Sequence, residues 1–230
     1  MVLKRLHLVL KAFYRAFISP SKKVFSYSQF AEDLIISNIL KSLGENKSGC
    51  FVDVGSHHPR RGSNTYLLYK KGWSGLLIDL EEDKVLAAKL ARPRDKAVMA
   101  AVSSSQKKVK VWTTNSFSTN TSISEKDHVI PHDNYKWMRT KTLTEILLAN
   151  NIDKNFKLLT IDVEGVDIDV LKGLDLKYYR PLIICVENWC ASNGIENILE
   201  SPIHNYLLKF GYNLKAWSGL STIYCLSNFQ

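Results

Sequence analysis

Acidic residues stand at the ends of two apolar stretches in the first half of the chain. Asp53 lies near the end of the apolar segment 50–54, Gly55 follows that segment, and Asp79 ends the next one. Open parallel sheets bind ligands beyond the carboxyl ends of their strands. At that edge Asp53 can accept a hydrogen bond from an ammonium group, Gly55 lets the backbone approach a ligand closely, and Asp79 can hold two ribose hydroxyls. The pattern predicts a nucleoside-containing cofactor; the alternative for Asp79 is a cap on the following helix.

The loop after the first of these stretches does not fit a dinucleotide enzyme. It reads Ser56-His-His-Pro59, whereas the dinucleotide fingerprint requires further glycines for close approach to a pyrophosphate. His57 and His58 can act as a base or as metal ligands, or can simply be polar loop residues. Farther along, Asp95 precedes a third apolar stretch, where we expect it to meet the adenine edge or to form a surface ion pair with a neighbouring arginine.

Three further carboxylates follow later apolar stretches. Asp162 ends the fourth stretch, Glu164 follows it, and Glu187 ends the fifth. We expect these acids to converge above the cofactor, because the ends of parallel strands meet at one edge of a sheet. Clustered acids can take a proton from an acceptor hydroxyl, either directly or by holding a divalent metal that acidifies it. The alternative is helix capping and ion pairing.

The elements that must position these residues alternate between apolar strands and amphipathic helices. This alternation predicts the α/β class, with a seven-stranded and mostly parallel sheet whose last pair is a β-hairpin. The predicted strands are 50–54, 75–80, 97–102, 157–162, 182–187, 212–217 and 221–226, with 109–112 as an extra hairpin arm. The predicted helices are 29–43, 63–71, 82–90, 143–150, 166–171 and 196–210. The polar segment 113–135 is too long for an ordinary connection and is expected to cover the substrate.

The positive charge of the chain is concentrated at its start. The net charge is +9, and residues 1–23 carry +6 of it, because they contain six Lys and Arg residues and no acid. The rest of the chain is therefore close to neutral, and no strongly basic face for nucleic acid is predicted. The four cysteines have neither CxxC nor zinc-like spacing, which predicts a reducing, cytoplasmic setting.

The sequence predicts a division at about residue 25, with a basic amphipathic helix over residues 1–25 and one domain over 26–230. The apolar residues of the helix recur at steps of three and four: Val2, Leu6, Val9, Phe13 and Phe17. Such a helix can pack on its own domain or on a second subunit of a homo-oligomer, or it can lie on the inner face of the membrane. A signal peptide is disfavoured, because Lys11 and Arg15 interrupt the apolar run.

Six segments, taken in order, resemble the FkbM-type methyltransferases. They are Tyr27–Asp33, Phe51–Ser56, Ser63–Tyr66, Gly72–Asp79, Arg92–Asp95 and Ile161–Gly165, the last followed by Val170–Gly173. The match runs from about residue 27 to residue 188. The resemblance implies a class I Rossmann-like fold, S-adenosylmethionine as methyl donor, and O-methylation of a hydroxyl on a sugar, a polysaccharide or a related natural product.

The residues and the resemblance together define the expected site. We expect the cofactor to contact Gln29, Asp53, Gly55, Ser56, Asn64, Asp79, Leu80, Asp95 and Asp162, with Gln29 against its methionine end. The catalytic candidates are Asp162, Glu164, Glu187, His57 and His58, and the first three of these are also the candidate ligands of a divalent metal. The expected acceptor is a small molecule or a glycan.

Two departures from the family pattern leave alternatives open. Many members continue the glycine loop as D-x-G-A-N-x-G, where this chain has His57-His-Pro59, and many carry a His-Glu pair where it has Val166-Asp167. One alternative is a non-catalytic binding protein that retains the fold. The other is a nucleic-acid methyltransferase, which commonly has an Asn/Asp-Pro-Pro-aromatic turn where this chain has Asp162–Gly165.

Overall fold

A computed structural model describes residues 2–15, 24–45, 47–112 and 135–227. Its strands are β1 (Cys50–Val54), β2 (Ser74–Asp79), β3 (Lys96–Met99), β4 (Ala101–Val102), β5 (Lys108–Trp112), β6 (Tyr135–Lys141), β7 (Leu158–Ile161), β8 (Ile183–Glu187), β9 (Tyr212–Ser218) and β10 (Ser221–Leu226). Its α-helices are α1 (Val2–Phe13), α2 (Glu32–Ser42), α3 (Tyr66–Lys70), α4 (Glu82–Ala91), α5 (Leu143–Ala149), α6 (Asp167–Lys172), α7 (Ile195–Glu200) and α8 (Pro202–Leu208).

The predicted seven-stranded sheet is confirmed. Its strand order is β3-β2-β1-β7-β8-β10-β9. The pairs among β3, β2, β1, β7 and β8 are parallel, and β10 pairs antiparallel with both β8 and β9. The order reverses between β1 and β7, and this switch point is where a doubly wound sheet leaves a crevice for a ligand.

The sheet is covered on both faces, which explains why its parallel strands are almost wholly apolar. In β1, Phe51 faces one core cluster while Val52 and Val54 face the other. Buried residues of α2, α3 and α4 pack in the cluster of Phe51, and those of α5, α6 and α8 pack in the cluster of Val52. Because both sides of β1 are buried, its register is strongly specified, and the position of Asp53 at its end follows from that register.

The predicted third strand, 97–102, is divided in the structure. β3 ends at Met99, and β4 belongs to a second, three-stranded sheet of order β4-β6-β5. The sequence does not predict β6, because only one of its seven residues is buried and no apolar run marks the strand. Residues 113–134 lie outside the described residues, so the predicted substrate cover is not part of the structure described.

The predicted helix 196–210 is two helices. Ser201 separates them, with its hydroxyl accepting a hydrogen bond from the backbone N–H of His204, and Pro202 begins α8. Proline has no N–H to donate to the preceding turn, so it fits the first position of a helix and interrupts the interior of one. A Ser-Pro pair within a helical pattern therefore marks a boundary.

Candidate active site

A cavity of about 510 Å³ opens at the carboxyl ends of β1, β2 and β7. This volume is within the range of small-molecule and cofactor sites. Eight of the residues expected at the cofactor line it: Gln29, Asp53, Gly55, Ser56, Asn64, Asp79, Leu80 and Asp162. Three further catalytic candidates also line it: His57, His58 and Glu164.

Other lining residues were not predicted from the sequence. They include Arg61, Lys84, Ala100, Val102, Thr160, Val163 and Val166. Most follow the same strand ends as the predicted residues, so proximity to those ends was the available signal. Lys84 had no such signal: it lies in α4, and its buried ammonium pairs with Glu81 at 2.8 Å.

Gly55 joins the loops that follow β1 and β7. Its φ is +82°, in the left-handed region that favours glycine, and its N–H donates to the carbonyl of Ile78 at 2.9 Å. A Cβ at this position would lie far inside van der Waals contact with the carbonyl oxygen of Asp162. The close approach of the two loops therefore depends on the absence of a side chain at position 55.

Asp79 organises the loop after β1 from the end of β2. One carboxylate oxygen accepts the backbone N–H of His57 at 2.8 Å, and the other accepts the backbone N–H of Glu81 at 3.1 Å. Asp79 is therefore not the N-cap of α4; that position is occupied by Glu81. Each carboxylate oxygen keeps a lone pair, so Asp79 can still accept hydrogen bonds from a ligand in the cavity.

The two loop histidines have different surroundings. His58 accepts the backbone N–H groups of Arg60 and Arg61 on its Nδ1, at 3.1 and 3.0 Å, so this nitrogen stabilises a turn. His57 has φ +42°, a strained conformation for a non-glycine residue, and its buried Nδ1 has no partner among the described residues. Burial lowers the pKa of His57, and the charge of Lys84 lowers it further. The lowered pKa favours the neutral imidazole, whose Nδ1 is left without a hydrogen bond inside the described part of the protein.

Asp95 does not line the cavity, contrary to its expected contact with adenine. Its carboxylate forms an ion pair with Arg92 at 2.6 Å and accepts the backbone N–H of Gly75 at 2.9 Å. The pair is buried instead of lying at the surface, since the side chain of Arg92 is only 1% exposed. The alternative prediction, a surface ion pair with a neighbouring arginine, therefore names the right kind of partner. The pair is buried, however, so its predicted location at the surface is wrong.

The buried Arg92 links this ion pair to the cavity. Its Nη1 donates to the hydroxyl of Thr65 at 3.1 Å, and Thr65 donates to the carboxylate of Asp53 at 2.6 Å. Burial raises the pKa of Asp53 to about 6, despite the opposing effects of the Thr65 hydrogen bond and the Arg92 charge. The hydrogen bond from Thr65 therefore holds the Asp53 side chain in one rotamer at the wall of the cavity.

Gln29 reaches the cavity because the preceding segment is tied down by two buried acids. Asp33 accepts hydrogen bonds from the hydroxyls of Ser26 and Ser28 and from the backbone N–H of Tyr27. Glu32 accepts from the backbone N–H of Phe30 and from the hydroxyl of Ser221 in β10. Residues 26–33 are thereby fixed against the domain.

Asp162 and Glu187 form a carboxylate pair at the ends of β7 and β8. Asp162 is exposed to the cavity, whereas Glu187 does not line it. Burial raises the pKa of Glu187 to about 9, and the neighbouring Asp162 charge adds to this effect. The enclosing cavity walls and the charge of Glu164 raise the pKa of Asp162 to about 6, and a hydrogen bond with the Glu187 side chain opposes this rise. The pair therefore keeps a proton above the usual pH range of carboxylic acids, and Glu187, whose pKa is raised more, is the favoured donor to Asp162.

Asp167 braces the loop that carries Asp162. Its buried carboxylate accepts the backbone N–H groups of Val163 and Gly165, at 3.1 and 3.2 Å. Glu164 lies between them with φ +56° and lines the cavity. Burial raises the pKa of Asp167 to about 7. In the sequence, Asp167 stands out only as a departure from the family pattern. That departure does not predict its hydrogen bonds to the loop that carries Asp162.

The proposed metal ligands do not form a recognisable centre. Among residues 2–15, 24–45, 47–112 and 135–227, no group of three or more His, Cys, Asp or Glu side chains has an arrangement that could hold a metal ion. Glu187 already donates to Asp162 and accepts from the indole of Trp189 at 3.2 Å. The hypothesis of a divalent metal at these acids has no support in the described part of the chain.

The cavity fits S-adenosylmethionine in its chemistry. The lining acids Asp53 and Asp162 suit a sulfonium and an ammonium group. A nearby cation stabilises the ionised form of a carboxylate, which burial alone destabilises. Asp79 lines the cavity at the end of β2, and a carboxylate there could accept hydrogen bonds from ribose hydroxyls. Gly55 also lines the cavity, and its missing side chain lets the loop after β1 pack directly against the backbone of Asp162.

Comparisons with known proteins agree with this assignment. The sequence profile of the FkbM methyltransferase domain matches residues 53–214, which is more than half of the chain. The comparison with curated proteins found no match.

Solved structures that resemble the chain include several methyltransferases. The O-methyltransferase TomG of Streptomyces achromogenes is 10% identical with a TM-score of 0.48, covering 99% of this chain and 100% of its own. The O-methyltransferase of Bacillus cereus is 12% identical with a TM-score of 0.46, covering 97% of this chain and 90% of its own. A similarity this distant carries no functional argument, so the assignment depends on the family match and the cavity. By these two criteria the chain belongs to the FkbM methyltransferase family and is an S-adenosylmethionine-dependent methyltransferase.

Proposed function

We propose that the protein is an O-methyltransferase that acts on a hydroxyl of a sugar, a polysaccharide or a related natural product. The main support for this proposal is the carboxylate pair of Asp162 and Glu187, of which Asp162 lines the cavity. A hydroxyl acceptor must lose a proton during methyl transfer, and a carboxylate with a raised pKa is a suitable general base for it. The resemblance to the FkbM-type enzymes supports the choice of a sugar or natural product as acceptor.

Residues of the loops after β1 and β2 would hold the cofactor. Asp79 would bind the ribose hydroxyls, and Asp53, Gln29 and Asn64 would surround the methionine end. Asn64 is positioned by its amide, which donates to the hydroxyl of Thr160 at 3.3 Å. When bound, S-adenosylmethionine supplies a methyl group on a positively charged sulfur, and the carbon–sulfur bond breaks as a carbon–oxygen bond forms.

Asp162 accepts the acceptor's proton in this mechanism. It lies in the cavity, where a hydroxyl can approach it, and Glu187 supports it from behind with a hydrogen bond. Glu164 adds a negative charge that raises the pKa of Asp162 and so increases its basicity. Asp167 is a positioning residue, because its carboxylate holds the backbone on both sides of Glu164.

Binding of S-adenosylmethionine is expected to release protons between about pH 7 and pH 9. Burial holds the pKa of Asp167 at about 7 and that of Glu187 at about 9, so Asp167 is partly protonated at the lower end of this range and Glu187 throughout it. The sulfonium charge favours their ionised forms and lowers both pKa values. Affinity for S-adenosylmethionine should therefore rise with pH across this interval.

Calorimetry in buffers with different ionisation enthalpies measures the released protons directly. S-adenosylhomocysteine, whose sulfur is neutral, is the matched ligand and is expected to release fewer protons. Equal proton release by the two ligands would mean that the sulfonium charge does not act on the pKa values of these acids.

A methyl-transfer assay tests the proposed reaction. The protein is incubated with S-adenosylmethionine carrying a ¹³C-labelled methyl group and with a panel of saccharides that bear free hydroxyls; an RNA oligonucleotide serves as the comparison. We expect a new O-methyl signal by NMR on at least one saccharide and none on RNA. Label on a nitrogen atom, or on RNA alone, would refute the proposal in favour of a nucleic-acid methyltransferase.

A further inference from the structure

Helix α1 has a clear division between an apolar and a basic face. At about 100° per residue, Leu6, Val9, Leu10 and Phe13 fall within an arc of about 100°. Lys4 and Lys11 fall within about 20° of one another on the opposite side of the same helix, and Arg15 follows shortly after its end. Residues 1–23 contain no acid that could neutralise these cations.

The apolar face of α1 is open to solvent. Leu6 is 56% exposed, Val9 59%, Leu10 60% and Phe13 54%. None of the four belongs to either core cluster of the domain. A contiguous exposed apolar face rimmed by charged residues marks an interaction site more often than a solvated surface.

We propose that α1 binds the surface of a membrane that contains anionic lipids. Its apolar residues would enter the boundary between head groups and acyl chains, with Lys4, Lys11 and Arg15 on the phosphate side. A helix of 12 residues is about 18 Å long, shorter than the roughly 30 Å hydrocarbon core, so α1 lies in the surface. No helix in the described part of the chain is both long and apolar enough to span a membrane.

Charge favours a lipid surface over a second copy of the chain. Pairing two copies of α1 through their apolar faces brings together two segments that each carry +6 over residues 1–23. No acid in those segments offsets the repulsion, whereas an anionic bilayer attracts every one of these cations. This inference is independent of the proposed O-methylation, because it uses only α1.

Two leucine variants of the full chain test the proposal with one chemical change. Leu6 lies in the apolar arc, whereas Leu8 lies on the side of the cations, and both are exposed, at 56% and 66%. Leu6→Glu and Leu8→Glu thus alter net charge and composition identically. Flotation with phosphatidylcholine vesicles containing one quarter phosphatidylglycerol should show a binding loss of about tenfold for Leu6→Glu and at most about threefold for Leu8→Glu, since only the former places a charge in the apolar layer.

Lipid charge and salt provide the second measurement. The unaltered protein should bind vesicles of pure phosphatidylcholine more weakly, and 0.5 M salt should release it from anionic vesicles, since the Debye length is then only about 4 Å. Equal losses for the two leucine variants, or no binding of the unaltered protein, would overturn the proposal. So would a dimer by light scattering that only Leu6→Glu dissociates. Thermal unfolding should be unchanged in both variants, which shows that the domain is intact.

Discussion

Replacing Asp162 by Asn is expected to lower kcat by about a hundredfold to a thousandfold, the usual effect of removing a general base. Asn keeps the size of the side chain and a hydrogen-bond acceptor for Glu187, but it cannot take a proton at neutral pH. The unaltered enzyme should also gain activity as the pH rises through about 6, because Asp162 must be ionised to act as a base and burial raises its pKa to that value. This rise should disappear in Asp162→Asn.

Glu187→Gln is the matched control for this prediction. Protonated Glu187 donates a hydrogen bond to Asp162, and a Gln amide can donate the same bond without ionising. Steady-state kinetics across pH 5 to 9 should therefore give a kcat within about threefold of the unaltered enzyme near pH 7, since the network is preserved. If Glu187→Gln lowers kcat as much as Asp162→Asn does, then either Glu187 is the base or the two carboxylates act as one unit.

Gly55→Ala is expected to abolish measurable binding of S-adenosylmethionine. The new methyl group would overlap the carbonyl oxygen of Asp162, and the φ of +82° is unfavourable for alanine. Because backbone atoms on both sides cannot give way as a flexible side chain can, the loops after β1 and β7 must separate. We expect a loss of about 2–4 kcal/mol in the free energy of unfolding, from steric overlap and backbone strain together.

Gly72→Ala separates these two causes. Gly72 has φ +94°, and its Cβ would meet nothing within 4 Å. Gly72→Ala introduces backbone strain without steric overlap, so we expect the free energy of unfolding to fall by only about 1 kcal/mol. Cofactor affinity should be unchanged, since Gly72 does not line the cavity. Urea unfolding and calorimetry measure both quantities, and indistinguishable results for the two glycines would show that the Gly55 loop tolerates a side chain.

Much of the site follows from local sequence. Asp53, Asp79 and Asp162 were recognisable because each stands at the carboxyl end of an apolar stretch, and parallel strands place those ends at one edge. Burial on both faces makes these stretches continuous apolar runs, which are easy to detect. The family motifs, taken in order, then identify the cofactor that the edge binds.

Side-chain partners and local interruptions were decided by the tertiary structure. Asp95 pairs with Arg92 inside the protein, because aromatic residues of the neighbouring elements enclose the guanidinium, with Tyr69 at 5.1 Å and Phe51 at 5.2 Å. β6 has no signal of its own in the sequence, because only one of its seven residues is buried and it pairs with β5 across residues 113–134. Its strand character depends on that partner, not on its own sequence.

Asp53, Asp79 and Asp162 were thus placed by the sequence alone, since strand ends are a local property of an apolar run. The contacts that give them distinct roles join residues far apart in the chain: Gly55 meets Asp162, and Asp162 meets Glu187. These contacts depend on the registers of β1 with β7 and of β7 with β8. A register is selected by the packing of both sheet faces together, so only the folded domain determines which carboxylate faces the cavity and which supports it from behind.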